Sequence, residues 1–258
     1  MSNHLERDDR HDPLKGNDYI SHQHLERYRF AQKLLSPGMK VLDIACGTGY
    51  GSAMLHQKGC EVIGADLDRA LIKEAKNKWR NNHFQTADVL DLPFDNDQFD
   101  ALVSFETIEH VVDGDRFLLE MSRVLKPGGL FICSTPNITY TAHPEYHLKE
   151  YRPDDFFRLV EGRFGHIEKY GQYFRPRDRA LDLLKRNAPE RLTRLLEAIG
   201  IKNRLKNLLS GAKSLAENAP TKPNLERMVG SDYYKVCPYE GNRLLRIMIT
   251  VARKGEQL

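Results

Sequence analysis

Two runs in this sequence hold residues whose types and spacing can do chemistry. The first is Val41-Leu42-Asp43-Ile44-Ala45-Cys46-Gly47-Thr48-Gly49-Tyr50-Gly51, an apolar stretch that feeds a glycine-rich turn. Residues without Cβ atoms let a backbone approach a ligand closely. The turn opens a helix, whose free N–H groups suit the anionic parts of that ligand. A dinucleotide pattern G-x-G-x-x-G needs glycine at position 52, which is Ser52, and no Gly-Lys-Ser/Thr follows for a P-loop. Asp43, four residues before Gly47, sits where a carboxylate can meet a ligand ammonium group. The second run is Glu106-Thr107-Ile108-Glu109-His110. On a helix, Glu106, Glu109 and His110 share one face at i, i+3 and i+4. Two carboxylates and an imidazole on one face can hold Mg²⁺, Mn²⁺ or Zn²⁺. His110 alone can equally serve as a base, and Glu106 can simply cap the helix.

The elements that must position these residues alternate. Apolar periodicity predicts a helix over Ser21–Leu35, then strands at Lys40–Ala45, Cys60–Ala65, His83–Thr86, Phe99–Phe105 and Gly129–Ser134. Helical patterns fall between them at Gly49–Lys58, Arg69–Trp79 and Asp115–Leu125. Pro153–Glu161 forms a further helix, with Pro153 in its first turn and Asp154 and Asp155 at its positive end. His166–Tyr173 and Leu244–Ala252 read as a closing pair of strands. This rhythm implies right-handed βαβ units and a mainly parallel sheet. Asp43, Asp66 and Asp88 then stand at the ends of three successive strands, facing one crevice. Taken one at a time, each is equally a cap or turn residue.

From about Val41 to Arg163, and more loosely at the last strand, the chain resembles the class I S-adenosylmethionine-dependent methyltransferases. The resemblance rests on the glycine turn, Gly64-Ala65-Asp66-Leu67, Ala87-Asp88-Val89, Leu90-Asp91-Leu92-Pro93-Phe94 and Arg123-Val124-Leu125-Lys126-Pro127-Gly128-Gly129. It implies a doubly wound, mainly parallel seven-stranded sheet, a Rossmann-like methyltransferase fold, with a helical insertion before the last strand. It also implies S-adenosyl-L-methionine as cofactor. Asp43, Ala45, Gly47 and Gly49 would form its turn, and Asp66 with Leu67 would meet the ribose. Asp88 and the Val89 N–H would meet the adenine, with Ser104 at the fourth strand's end. Arg27, on a helix that closes over the cofactor in related enzymes, would pair with its carboxylate. The E-x-x-E-H run is similar to the metal site of small-RNA 3′-terminal 2′-O-methyltransferases and quinone-biosynthesis O-methyltransferases. Those families add a distant histidine, for which His147 matches best and His143 second. Without a metal, His110 and Glu109 are the expected catalytic pair.

Length and composition bound the rest. At 258 residues the chain holds one α/β domain and one appendage. The apolar share of 40% and net charge of +3 are those of an ordinary globular protein, with no call for a nucleic-acid partner. The four cysteines lack a C-x-x-C pair, which points to free thiols and a cytoplasmic setting. Residues 1–18 read as a disordered tail, and 19–258 as the methyltransferase domain. That domain includes the insertion at 175–242, where Arg175–Lys213 holds eleven Lys and Arg against four Asp and Glu. Such a basic amphipathic segment suits a lid, a dimer arm, a peripheral membrane contact or a helix packed on its own domain. The reading that results is transfer of a methyl group to a hydroxyl of a small molecule, sugar or glycan precursor. RNA 2′-O-methylation and non-catalytic cofactor binding stand as alternatives.

Overall fold

A computed structural model describes residues 19–140, 147–173, 235–241 and 245–255. The expected tail at 1–18, His143 and most of the 175–242 insertion lie outside these residues. The chain divides into two units, Met1–Tyr173 with Asp232–Leu258, and Phe174–Ser231.

Helix α1 (Tyr19–Leu34) precedes the alternation of β1 (Lys40–Ile44), α2 (Tyr50–Gln57), β2 (Glu61–Asp66), α3 (Arg69–Lys78), β3 (His83–Thr86) and β4 (Phe99–Phe105). There follow α4 (Gly114–Val124), β5 (Leu125–Pro136), α5 (Pro153–Phe164), β6 (Ile167–Tyr173), β7 (Cys237–Pro238) and β8 (Leu245–Arg253). The sheet runs in the order β3-β2-β1-β4-β5-β8-β6-β7. Pairings from β3 through β5 are parallel, whereas β8 runs antiparallel between β5 and β6. Among the described residues the sheet has eight strands, where seven were expected. The extra one is β7, whose Cys237 and Pro238 pair with Gly171 and Tyr170 of β6. These residues had been assigned to the helical insertion. A proline cannot donate to a ladder, and an edge strand of two residues is where one is tolerated.

Local chemistry explains the helices. Asp68 caps α3 by accepting from the N–H groups of Ala70 and Leu71 (2.7 and 3.2 Å), and Asp113 caps α4 through Arg116 N–H at 2.9 Å. In α4, Phe117, Leu118, Met121 and Val124 are buried at helical spacing, and in α5 Phe156, Phe157, Val160 and Phe164. The central strands are buried on both faces, as parallel strands between helix layers must be. Leu42, Leu102 and Phe131 have no exposure. Each such side chain contributes roughly 1.5–3 kcal/mol. The core thus fixes the carboxyl ends of β1, β2, β4 and β5 side by side, and the candidate site lies there. Among the described residues no helix is long and apolar enough to cross a membrane.

Candidate functional site

The glycine turn leaves β1 through three left-handed residues, Ala45 (φ 55°), Gly47 (φ 55°) and Gly49 (φ 77°). Only glycine adopts that region freely, so Ala45 stores strain at the crevice. A Cβ on Gly47 would meet no protein atom within 4 Å, which leaves the space above the turn to a ligand. Gly49 differs. There a Cβ would fall 2.7 Å from the Phe84 ring, so this glycine serves the packing of α2 on β3.

Asp66 anchors the turn to β2. Its Oδ2 accepts from Gly47 N–H and its Oδ1 from Asp68 N–H, both at 2.9 Å. The Ala87 N–H donates to the Asp66 carbonyl at 3.0 Å, so the ends of β2 and β3 lie together. Next to Asp66, Leu67 is exposed, ready to offer an apolar surface. Asp88 is also exposed, with Oδ1 accepting from Leu90 N–H at 2.9 Å, and Val89 beside it is half-buried.

Asp43 stands near the end of β1 and is enclosed by protein. It has no exposure, and its two oxygens accept from Tyr28 Oη (3.0 Å) and Ser52 Oγ (2.6 Å). These two bonds link α1, β1 and α2 through Asp43. Burial raises this carboxyl to about 7, while the two hydroxyl donors pull it down. Tyr28 and Ser52 come from other elements, so no local spacing marked them.

Arg27 is fully buried on α1. Its Nη1 donates to Gln172 Oε1 at 2.8 Å, and its guanidinium lies 5.9 Å from the Phe105 ring centroid. The Nε and Nη2 atoms have no hydrogen-bond partner among the described residues, and Glu106 Oε1 is 4.0 Å from Nη2. That edge of a guanidinium matches a carboxylate in a paired, two-bond fashion. Ser104 is buried at the end of β4, its Oγ likewise without a hydrogen-bond partner.

The E-x-x-E-H run is not one helical face. Glu106 is left-handed (φ 53°), and only Ile108–His110 forms a single 3₁₀ turn. Glu106 accordingly turns away, accepting from Ser134 Oγ at 2.7 Å. The remaining three groups converge. Ligand atoms of Glu109, His110 and His147 all lie within 4.8 Å of one another. Glu109 is buried, with Oε2 accepting from Thr135 Oγ1 at 2.9 Å and Oε1 lacking a hydrogen-bond partner. Burial, then the charge of Glu106, pushes its carboxyl well above the ordinary range. Burial and the neighbouring His110 lower His147. His110 is the open member, its side chain 42% exposed. An orphaned carboxylate oxygen beside two imidazoles fits a small divalent cation.

Residues 42–133 match a family model described as a methyltransferase domain. A relative from Mycolicibacterium smegmatis, named a probable S-adenosylmethionine-dependent methyltransferase, is 32% identical over 130 residues, 48% of this chain and 51% of that protein. A ubiquinone biosynthesis O-methyltransferase of Coxiella burnetii is 34% identical over 116 residues, 43% of this chain and 50% of its own length. The chain thus spans about half the length of these curated relatives. An S-adenosylmethionine-dependent methyltransferase structure from Thermotoga maritima superposes with a TM-score of 0.58 at 16% identity, covering 92% of both chains. The fold is the Rossmann-like methyltransferase fold, and the segment from Leu42 to Cys133 is similar to the methyltransferase-domain model that it matches.

Proposed function

We propose that this chain is an S-adenosylmethionine-dependent methyltransferase that methylates a hydroxyl group of a small molecule, sugar or glycan precursor. The junction of Gly47 and Asp66 carries the reading. An open left-handed glycine is bonded to the carboxylate at the end of the next strand, inside the segment that matches the methyltransferase domain. Bound there, the cofactor supplies an electrophilic methyl group. The Gly47 turn and the α2 N-terminus would cradle its amino-acid portion, and the buried Nε–Nη2 edge of Arg27 would take its carboxylate. Asp66 would accept from the ribose hydroxyls, Leu67 would cover the adenine, and Asp88 with the Val89 N–H would read its edge.

Methyl transfer is an in-line displacement, so the chain's main task is to position the acceptor oxygen. His110, exposed at the crevice, is the group placed to take the hydroxyl proton. Glu109, held by Thr135, stands beside His110 on the same turn. The O-methyltransferase named among the relatives favours an oxygen acceptor. The test is titration calorimetry. S-adenosylmethionine should bind the wild-type chain and not the folded Gly47→Val variant, whose new side chain fills the ligand space. Equal binding by both would remove the reading.

The convergence of Glu109, His110 and His147 within 4.8 Å favours a second, metal-assisted version. Those three residues would hold a divalent cation, and the ion would act as a Lewis acid that lowers the pKa of the acceptor hydroxyl. Glu106, which accepts from Ser134 and lies 4.0 Å from Arg27, is not among these three.

A further inference from the structure

Two neighbouring residues of α1 reach to opposite sides of the crevice. Arg27 bonds to Gln172 on β6, and Gln172 Nε2 in turn donates to the carbonyl of Gln23 at 3.0 Å. Tyr28 reaches the other way, into the start of α2. Its ring packs edge-on against Tyr50 and Phe105, with centroids 5.3 and 5.0 Å away, and its hydroxyl bonds Asp43. The seat for this ring is made by Gly51. A Cβ on Gly51 would lie 1.9 Å from Tyr28 Cζ, so any other residue there expels the ring. Asp43 completes the seat from below, with Ser52 Oγ on its second oxygen. A buried carboxylate is tolerable only while donors satisfy it, and Tyr28 supplies one of two side-chain donors.

We propose that Tyr28 is a positioning residue for the cofactor, which through Asp43 locks α1 onto the N-terminus of α2 so that the crevice is complete only with α1 docked. The proposal rests on the reading that the Gly47 turn holds S-adenosylmethionine. Asp43 lies two residues before Ala45, the strained exit from β1, so a carboxylate that loses its donor disturbs the turn directly. Loss of the bond also removes one of the ties on the helix that carries Arg27. The groups facing Asp43 are Tyr28 from α1, Ser52 from α2, Cys46 from the turn and Asp66 from β2. Burial lifts the Asp43 carboxyl to about 7, and the Tyr28 hydroxyl is one of the donors holding it down. Cofactor affinity should therefore fall as pH drops through that value. Without the Tyr28 hydroxyl, the fall should begin at higher pH.

The experiment is cofactor titration calorimetry from about pH 6 to 9, with wild type and variants measured side by side. The cofactor's own amino group titrates within this range and is common to every protein. Tyr28→Phe keeps the ring and should raise Kd about tenfold at pH 7, the worth of one bond to a charged group. Its pH limb should also move upward, which loss of packing alone would not produce. Gly51→Ala should weaken binding at least about tenfold by itself. In a Tyr28→Ala background, with no ring to expel, the same change should cost under about threefold. Wild-type affinity and pH limb in Tyr28→Phe, or a Gly51→Ala effect that ignores residue 28, would overturn the role of Tyr28. A wild-type chain that binds no cofactor would instead overturn the reading beneath it.

Discussion

The rings of His110 and His147 meet edge to face, with centroids 5.0 Å apart and planes at 83°. They arrive from different parts of the chain, one after β4 and the other before α5. Backbone holds them together, because the N–H groups of Leu148 and Lys149 both donate to the Glu109 carbonyl (2.9 and 3.1 Å). If the pair belongs to a metal centre with Glu109, EDTA should remove methyl transfer, and Mg²⁺, Mn²⁺ or Zn²⁺ should restore it. His147→Ala should reproduce the chelated state, while affinity for S-adenosylmethionine hardly changes. Full turnover in EDTA would leave His110 as a metal-free base.

If Asp66 accepts from the ribose as proposed, Asp66→Ala should weaken S-adenosylmethionine binding by about 1.5–3 kcal/mol, the worth of charged hydrogen bonds. The same change frees Gly47 N–H from its 2.9 Å bond. Calorimetric affinity equal to wild type would displace Asp66 from the cofactor site.

The two left-handed glycines of the turn should separate binding from folding. Gly49→Ala brings a Cβ to 2.7 Å from the Phe84 ring at φ 77°, so it should cost about 1–3 kcal/mol of stability. Gly47→Ala carries similar left-handed strain at φ 55°, but its Cβ meets no protein atom within 4 Å, so it should lower the melting temperature less than Gly49→Ala does. Thermal melts of both, set beside cofactor titrations, check the contrast.

Asp43 gives stability an unusual pH dependence. Its carboxyl rises from an ordinary 3.8 to about 7 on folding, so the folded chain holds the proton more tightly than the unfolded one. Between about pH 4 and 7 its contribution to stability therefore declines as pH rises, the reverse of a paired surface carboxylate. Buried Glu109 pulls in the same direction. Asp43→Asn should flatten part of this slope in melts recorded across that window. An unchanged slope would mean that Asp43 titrates as an ordinary carboxylate.

Much of the scaffold was legible because its signals are local. Apolar runs such as Phe99–Phe105 and caps such as Asp68 and Pro153 mark elements within a few residues of where they form. What escaped depends on long-range geometry. The bonds of Asp43 to Tyr28 and Ser52, which come from two helices, have no mark in the residues around Asp43. Glu106-x-x-Glu109-His110 reads as one face until the sharp exit from β4 puts Glu106 in the left-handed region. His147 was reached only through family likeness, since nothing near it in sequence points at His110. Cys237-Pro238 falls inside the expected helical insertion, since its proline argues against a strand everywhere except at a sheet edge.

The seat of β8 between β5 and β6 sets an order on biosynthesis. Strands β1 to β4, with the glycine turn and Asp66, are contiguous and can assemble as the chain leaves the ribosome. Strands β5 and β6 cannot pair with each other, because Leu245–Arg253 belongs between them. Translating from Tyr173 to Arg253 takes on the order of ten seconds at usual elongation rates. Through that interval the backbone along Leu130–Pro136 stays open on one side, a hydrophobic edge able to pair with another nascent chain. The sheet thus closes only when β8, the last strand made, takes its place between β5 and β6.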